Sequence, residues 1–230
     1  MLLVSLLSLL ILAAQYVAIT ASVQDTIAAP NSSINSVNSS TRAHWVRLTN
    51  EVLLAQGTPC PFSAFASVIV NHTAPGLGEL VCTGVNKRQT GNPTLHGEIA
   101  AIQNCSAILT DPSGPYKLSP ARALDAFAQL SLYTNAESCP MCASAIRWAG
   151  FREYIYGTSI DTLIQQGWDQ IRISSLEVFR QSFDLPHPAR LIGEVLTNET
   201  DPYLLWQFNP EYPCPMGCAR GGSSSSCTAI

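Results

Sequence analysis

Two short segments carry side chains that suit a metal ion. Residues 96–98 read HGE and residues 139–142 read CPMC, and each segment precedes an apolar stretch. Cysteines three apart share one face of a helix, and Pro140 suits the first helical turn, where an N–H has no partner. Two thiolates and one imidazole form a zinc ligand set that leaves a fourth position for water, as in catalytic sites. The sequence therefore predicts one Zn²⁺ held by His96, Cys139 and Cys142.

A carboxylate follows the proposed histidine ligand. Glu98 lies two residues after His96, so it is expected near the metal without binding it. A carboxylate there can take a proton from metal-activated water and pass it to a substrate nitrogen. Each segment stands at the predicted start of a helix. The positive ends of the two helix dipoles favour the thiolate form of the cysteines. A disulfide between Cys139 and Cys142 is the alternative, and the HGE segment favours zinc.

The elements that must position these residues follow from the spacing of apolar side chains. The pattern predicts helices over residues 42–56, 96–109 and 139–149, shorter helices over 120–127, 160–166 and 175–181, and five strands over 65–70, 78–85, 130–134, 153–158 and 190–196. A helix, a hairpin and then alternating helices and strands indicate an α/β fold. We expect a three-layer α/β/α arrangement around a five-stranded mixed sheet. The helical crossover between strands four and five favours parallel pairing there.

Composition limits the function. The 230 residues are 47% hydrophobic and 12% charged, with 12 Lys and Arg against 16 Asp and Glu. The apolar content excludes a disordered chain, and the absence of a basic excess argues against bulk nucleic-acid binding.

We expect a signal peptide over residues 1–21, with a signal anchor as the alternative, then a flexible polar linker over 22–41, a catalytic domain over 42–213 and a Cys-rich tail over 214–230.

The cysteines and the glycosylation sequons also favour a secreted protein. Of the eight cysteines, six lie outside the CPMC segment and would form up to three disulfides, with fifteen possible pairings. Metal binding by the tail cysteines is the weaker alternative. Glycosylation sequons begin at five asparagines. The six cysteines are Cys60, Cys82, Cys105, Cys214, Cys218 and Cys227, and the sequons begin at Asn31, Asn38, Asn71, Asn104 and Asn198.

The paired segments resemble the H-x-E and P-C-x-x-C signature of zinc-dependent nucleobase and nucleoside deaminases. Asn86 followed by residues 92–98 (NPTLHGE), and residues 132–134 (LYT) leading to the cysteines, are similar to the guanine deaminase and tRNA-adenosine deaminase branch of the cytidine deaminase-like superfamily. The resemblance covers residues 42–196. Ser138 departs from it, since the family usually has Pro there, and Ala64 and Ala66 stand where this branch usually has Pro and Gly.

The resemblance implies hydrolytic deamination. Zinc-activated hydroxide attacks the amine-bearing ring carbon, Glu98 shuttles protons, and ammonia leaves. By position, Asn86 would hydrogen-bond the base, and the backbone near Ala136 and Glu137 would line the pocket. Trp148 aligns with an aromatic residue that some guanine deaminases place in the site across a dimer.

Three readings of the function stay open. The leading one is a secreted deaminase of a free purine base or nucleoside, with small molecule and water as partners, no nucleic acid, no membrane insertion after leader cleavage, and a possible homodimer. A cytosine or cytidine deaminase is the nearest alternative. A non-catalytic zinc-binding protein of the same fold is the third, and Glu98 argues against it, since a structural zinc needs no carboxylate beside an open position.

Overall fold

The computed structural model describes residues 27–31, 33–55, 59–221 and 226–230. The signal peptide expected over residues 1–21 lies outside these ranges. Within them, no helix is both long and apolar enough to span a bilayer.

A five-stranded mixed sheet forms the centre of the fold, in the order β2-β1-β3-β4-β5. Strand β1 pairs antiparallel with β2 and β3, whereas β3–β4 and β4–β5 are parallel. Every residue of β3 and β4 is buried, as expected for strands covered on both faces. The expected mixed sheet with parallel fourth and fifth strands is confirmed. The strands are Ala66–Asn71 (β1), Glu79–Val85 (β2), Leu130–Ala136 (β3), Glu153–Thr158 (β4) and Arg190–Ile192 (β5).

Helices cover both faces of the sheet and complete the three layers. One face packs against α2, α3, α4 and α6, through side chains such as Ala101, Ile146 and Phe179. The other packs against α1, α5 and α7, through side chains such as Val46 and Leu163. The helices are Ser39–Leu54 (α1), Gly97–Thr110 (α2), Pro120–Ala126 (α3), Pro140–Ala149 (α4), Ile160–Gln165 (α5), Ser175–Gln181 (α6) and Thr197–Leu204 (α7).

Two boundaries differ from the sequence expectation by three residues or more, and α7 is an addition to it. Strand β5 ends at Ile192 rather than at residue 196. Glu194 and Leu196 have φ values of 58° and 57°, so the extended backbone does not continue to residue 196. Helix α1 begins at Ser39 because the Asn38 side chain accepts a hydrogen bond from the N–H of Thr41.

A buried ion pair fastens the segment before α1 to the sheet. Arg42 contacts Glu153 of β4 at 2.9 Å, and both side chains are fully buried. The Arg42 guanidinium also donates to the carbonyls of Ile34 and Val37, and Asn35 donates to the Glu153 carboxylate. Residues 34–37 of the expected linker are therefore packed against the domain, because a buried charge pair needs these hydrogen bonds.

All six cysteines outside the CPMC segment form disulfides, and Cys139 and Cys142 are free. The pairs are Cys60–Cys218, Cys82–Cys105 and Cys214–Cys227. Metal binding by the tail cysteines is therefore excluded. Two of the pairs hold the tail, where Cys218–Arg220 (β6) and Cys227–Ala229 (β7) form a hairpin.

Helix α2 lies directly on strand β2. A Cβ at Gly84 would come 2.1 Å from the backbone nitrogen of Ala101 and 2.4 Å from the carbonyl oxygen of Gly97. The Cys82–Cys105 disulfide joins the same two elements. The distance between α2 and the sheet is therefore set by backbone contact.

We expect Gly84→Ala to lower the free energy of unfolding by about 1–3 kcal/mol, since the added methyl group meets backbone and α2 must move. Denaturant unfolding would measure this. Gly221→Ala is the matched control, because nothing lies within 4 Å of a Cβ at that position. Equal stability of the two variants would contradict the close packing.

Candidate metal centre and active site

The predicted zinc ligands meet at one point. The ligand atoms of His96, Cys139 and Cys142 all lie within 4.8 Å of one another, and Cys139 Sγ is 3.6 Å from His96 Nδ1. His96 is the N-cap residue of α2 and Cys139 the N-cap residue of α4, and neither side chain caps its own helix. Both side chains are thus available to a metal, beside the positive ends of two helices.

The three groups form one hydrogen-bonded cluster, and their donor types suit zinc. The hydrogen bond with Cys142 lowers the pKa of Cys139 to about 4, and that bond together with burial raises the pKa of Cys142. The hydrogen bond with Cys139 raises the pKa of His96, and the positive charge of Arg88 opposes this shift. A thiolate, a second thiol that shares its proton, and an imidazole are the soft and borderline donors that Zn²⁺ prefers.

Glu98 lies beside this donor set and is buried, with 6% of its surface exposed. Burial raises the pKa of the Glu98 carboxyl, and the Cys139 thiolate pushes the pKa in the same direction. A carboxyl group with a raised pKa can both accept and return a proton near neutral pH. The structure therefore brings the Glu98 carboxyl close enough to Cys139 and Cys142 to interact with both thiol groups.

The residues expected to contact the substrate differ in burial and in location. Asn86 is half-buried at the end of β2, accepts a hydrogen bond from the N–H of Arg88, and lines a cavity. Ala136 is buried at the end of β3, and its carbonyl accepts a hydrogen bond from the Thr134 hydroxyl. Trp148 is 77% exposed in the last turn of α4. Of these residues, Asn86 alone lines that cavity.

The Glu137 carboxylate binds the N-termini of two helices. Its carboxylate accepts hydrogen bonds from the N–H of Ile160, the first residue of α5, at 2.9 Å. It also accepts from the N–H and hydroxyl of Ser175, the first residue of α6, at 2.8 and 2.6 Å. One carboxylate thus caps two helices, and the side chain expected at the substrate is engaged with the protein itself.

Two contributors to the site escaped the sequence analysis. The N–H of Ser138 donates to the Tyr154 hydroxyl at 2.6 Å, a bond that the family's usual Pro could not make. Arg147 donates to the Ser182 hydroxyl and to the carbonyls of Ser182 and His187, which ties α4 to the segment after α6. Ser138 departs from the family pattern, but its partner Tyr154 lies on β4, so no local sequence pattern indicates the contact.

Two helix N-termini, a histidine and two cysteines that fit a zinc ion, and a buried carboxylate beside them are the features of a zinc-dependent hydrolase. The chain belongs to the cytidine and deoxycytidylate deaminase zinc-binding region family, which it matches over residues 39–158. It is a zinc-dependent hydrolytic deaminase.

Three comparisons describe its relatives. The chain is 29% identical to guanine deaminase of Bacillus subtilis, over 62% of this chain and 79% of that protein. It is 31% identical to a probable cytosine deaminase of Schizosaccharomyces pombe, over 59% of this chain and 73% of that protein. A solved structure in complex with 2,6-diaminopurine shares the fold, with a TM-score of 0.52 and 19% identity over 75% of this chain and 83% of the other.

Cys139→Ala should lose zinc, because two donors remain where three bind in the wild type. Metal analysis of the purified proteins should give one zinc per wild-type chain and a small fraction of that for the variant. Ser144→Ala changes a side chain of the same helix that bonds the Pro140 carbonyl instead, so it should keep the metal. Full zinc content in Cys139→Ala would contradict the ligand assignment.

Glu137→Gln should lower the free energy of unfolding by about 1–3 kcal/mol, because an amide has one acceptor oxygen where the carboxylate uses two. Thermal unfolding would measure the loss, with the exposed Glu51→Gln as control. Unchanged stability together with a raised KM would show instead that Glu137 contacts substrate.

Proposed function

We propose that this protein deaminates a nucleobase or nucleoside by hydrolysis and that its substrate is a purine of the guanine or adenosine type. The observation that carries the deaminase chemistry is the buried Glu98 beside three converging zinc ligands. Support for a purine comes from the similarity to guanine deaminase over 79% of that protein.

The residues of the metal centre would have separate roles in the deamination reaction. His96, Cys139 and Cys142 hold the zinc, which when bound lowers the pKa of water so that it can act as a nucleophile at neutral pH. Glu98 would take one proton from the attacking water and pass it to the ring nitrogen. It would then take the second proton of that water, from the hydroxyl now on the ring carbon, and pass it to the departing amino group. One water is consumed, one ammonia leaves, and a carbonyl replaces the amine on the ring.

The burial of Glu98 supports this role. A carboxylate with an ordinary pKa would stay ionised at neutral pH and return the proton poorly. Burial raises the pKa of Glu98 towards the range in which both directions of transfer are efficient.

A cytosine or cytidine substrate is the second candidate. It is favoured by the 31% identity to a probable cytosine deaminase over 73% of that protein. The non-catalytic zinc-binding alternative is disfavoured, because this chain belongs to a deaminase family and keeps the buried carboxylate.

We further propose that the protein is secreted and glycosylated. Three disulfides support this, because such bonds persist in oxidising compartments. The apolar run over residues 1–21 and the five sequons add to it. A homodimer also belongs to the proposal, since the exposed Trp148 could then reach a partner's site.

A panel of guanine, adenine, adenosine, cytosine and cytidine tests the substrate, with ammonia release as readout. We expect turnover of a purine by the wild-type protein.

Glu98→Gln should keep its zinc and lose activity by at least about 10²-fold, because an amide cannot transfer the proton.

Glu211→Gln is the control, since its side chain is exposed and outside the site. Turnover of cytosine compounds alone would overturn the purine assignment. Equal ammonia release from wild type and Glu98→Gln would remove the proton-transfer role.

A further inference from the structure

Ser138 departs from the family pattern inside the metal centre. It directly precedes the zinc ligand Cys139, and none of its surface is exposed. Its N–H donates to the Tyr154 hydroxyl of β4 at 2.6 Å. The Ser138 hydroxyl, by contrast, is buried and makes no hydrogen bond of standard geometry with the described residues. A buried hydroxyl without a partner costs free energy, so this group requires an acceptor.

The Glu98 carboxyl lies next to the Ser138 hydroxyl. Burial raises the pKa of Glu98, and the Ser138 side chain opposes that rise, as a neighbouring hydrogen-bond donor does. Glu98 is in the first turn of α2, whereas Ser138 comes just before α4. A hydrogen bond between them joins the two halves of the metal centre and fixes the rotation of the carboxyl group.

The Tyr154 hydroxyl orients the Ser138 hydroxyl from the other side. Tyr154 is fully buried on β4, and its oxygen accepts from the Ser138 N–H. The hydrogen of the Tyr154 hydroxyl needs a different acceptor, and the Ser138 side chain is a hydrogen-bonding neighbour of this phenol. When Ser138 Oγ accepts that hydrogen, its own hydrogen can point to Glu98. The three groups then form a chain of hydrogen bonds from Tyr154 through Ser138 to Glu98.

Zinc binding increases the importance of this donor. The Cys142 thiol also interacts with the Glu98 carboxyl. A cysteine binds zinc as a thiolate, which has no hydrogen to donate. Ser138 therefore remains as the hydroxyl donor of the cysteine segment beside the Glu98 carboxyl.

We propose that the Ser138 hydroxyl positions Glu98 for catalysis, because it donates a hydrogen bond to the carboxylate and holds it in the orientation that transfers protons. The proposal rests on the proton-transfer role of Glu98 proposed above. Ser138 acts through Glu98, so it affects the rate of the chemical step and not the binding of substrate. A Pro at this position has neither the N–H nor the hydroxyl, so the positioning contact is a property of this chain.

Steady-state kinetics of Ser138→Ala test the proposal on the compound that the wild type deaminates fastest. The substitution removes the hydroxyl and keeps the N–H that binds Tyr154. We expect kcat to fall by about tenfold and KM to stay within about twofold, because a misoriented proton-transfer group affects only the transition state. Zinc content should equal that of the wild type. An unchanged kcat, or a fall that follows a loss of zinc, would contradict the proposal.

Ser144→Ala is the matched control, since it removes a hydroxyl of α4 that bonds the Pro140 carbonyl. It should change neither kcat nor KM.

A double substitution shows whether Ser138 acts through Glu98. In the Glu98→Gln protein, adding Ser138→Ala should change the residual rate by less than about twofold, because the group that Ser138 positions has already been lost. A further tenfold loss would show that Ser138 acts independently of Glu98 and would overturn the proposal.

Thermal unfolding and crystallography test the contact without turnover. Removal of a buried hydroxyl that lacks a partner should raise the melting temperature, whereas removal of one bonded to a carboxylate should lower it. We expect zinc-loaded Ser138→Ala to unfold at a lower temperature than the zinc-loaded wild type. A crystal structure of the zinc-loaded wild type should place Ser138 Oγ within about 3.0 Å of a Glu98 carboxylate oxygen.

These measurements separate the contact from the proposed activity. A higher melting temperature of Ser138→Ala, or a distance too long for a hydrogen bond, would contradict the positioning contact whether or not the wild type releases ammonia. Absence of ammonia from every compound, with the contact present, would instead contradict the proton-transfer function of Glu98.

Discussion

Helix α2 lies so close to strand β2 that position 84 has no room for a Cβ atom. This backbone contact, reinforced by the Cys82–Cys105 disulfide, fixes where α2 begins. The first residues of α2 supply the histidine ligand and Glu98, so their distance from the cysteines is set by the packing of a helix on a sheet. Close-packed interiors resist small displacements. The distance between His96 and the two cysteines is therefore held by the packing of α2 on the sheet.

The other half of the site depends on the parallel pairing of β3 and β4. The chain leaves β3 at Ala136, turns through Glu137 and enters α4 at the zinc cysteines. The Glu137 carboxylate caps α5 and α6, and the Tyr154 hydroxyl of β4 accepts from the N–H of Ser138. The cysteine loop is thus held by later parts of the chain on both sides. These contacts keep the ligands preorganised without occupying their donor atoms.

Two cysteine populations coexist in this protein. Six are joined in disulfides, whereas Cys139 and Cys142 remain thiols close enough to bind one metal. Zinc coordination protects such thiolates, since a bound thiolate is a poorer nucleophile towards oxidants than a free one. Two of the disulfides join parts of the chain that are far apart or on different elements, because one ties α2 to β2 and another ties the loop before β1 to β6.

The sequence by itself indicated a metal site at His96, Cys139 and Cys142, a carboxylate beside it at Glu98, and most of the helices and strands, because each of these signals depends on residue type and spacing within short segments. The tertiary structure decided the rest. It assigned Glu137 to two helix N-termini, exposed Trp148, ended β5 at Ile192 and chose one disulfide pairing from fifteen. It also formed the cavity beside Asn86 from three separate segments. Contacts between residues far apart in the chain leave no periodic trace in either partner's own segment, so only the folded chain reveals them.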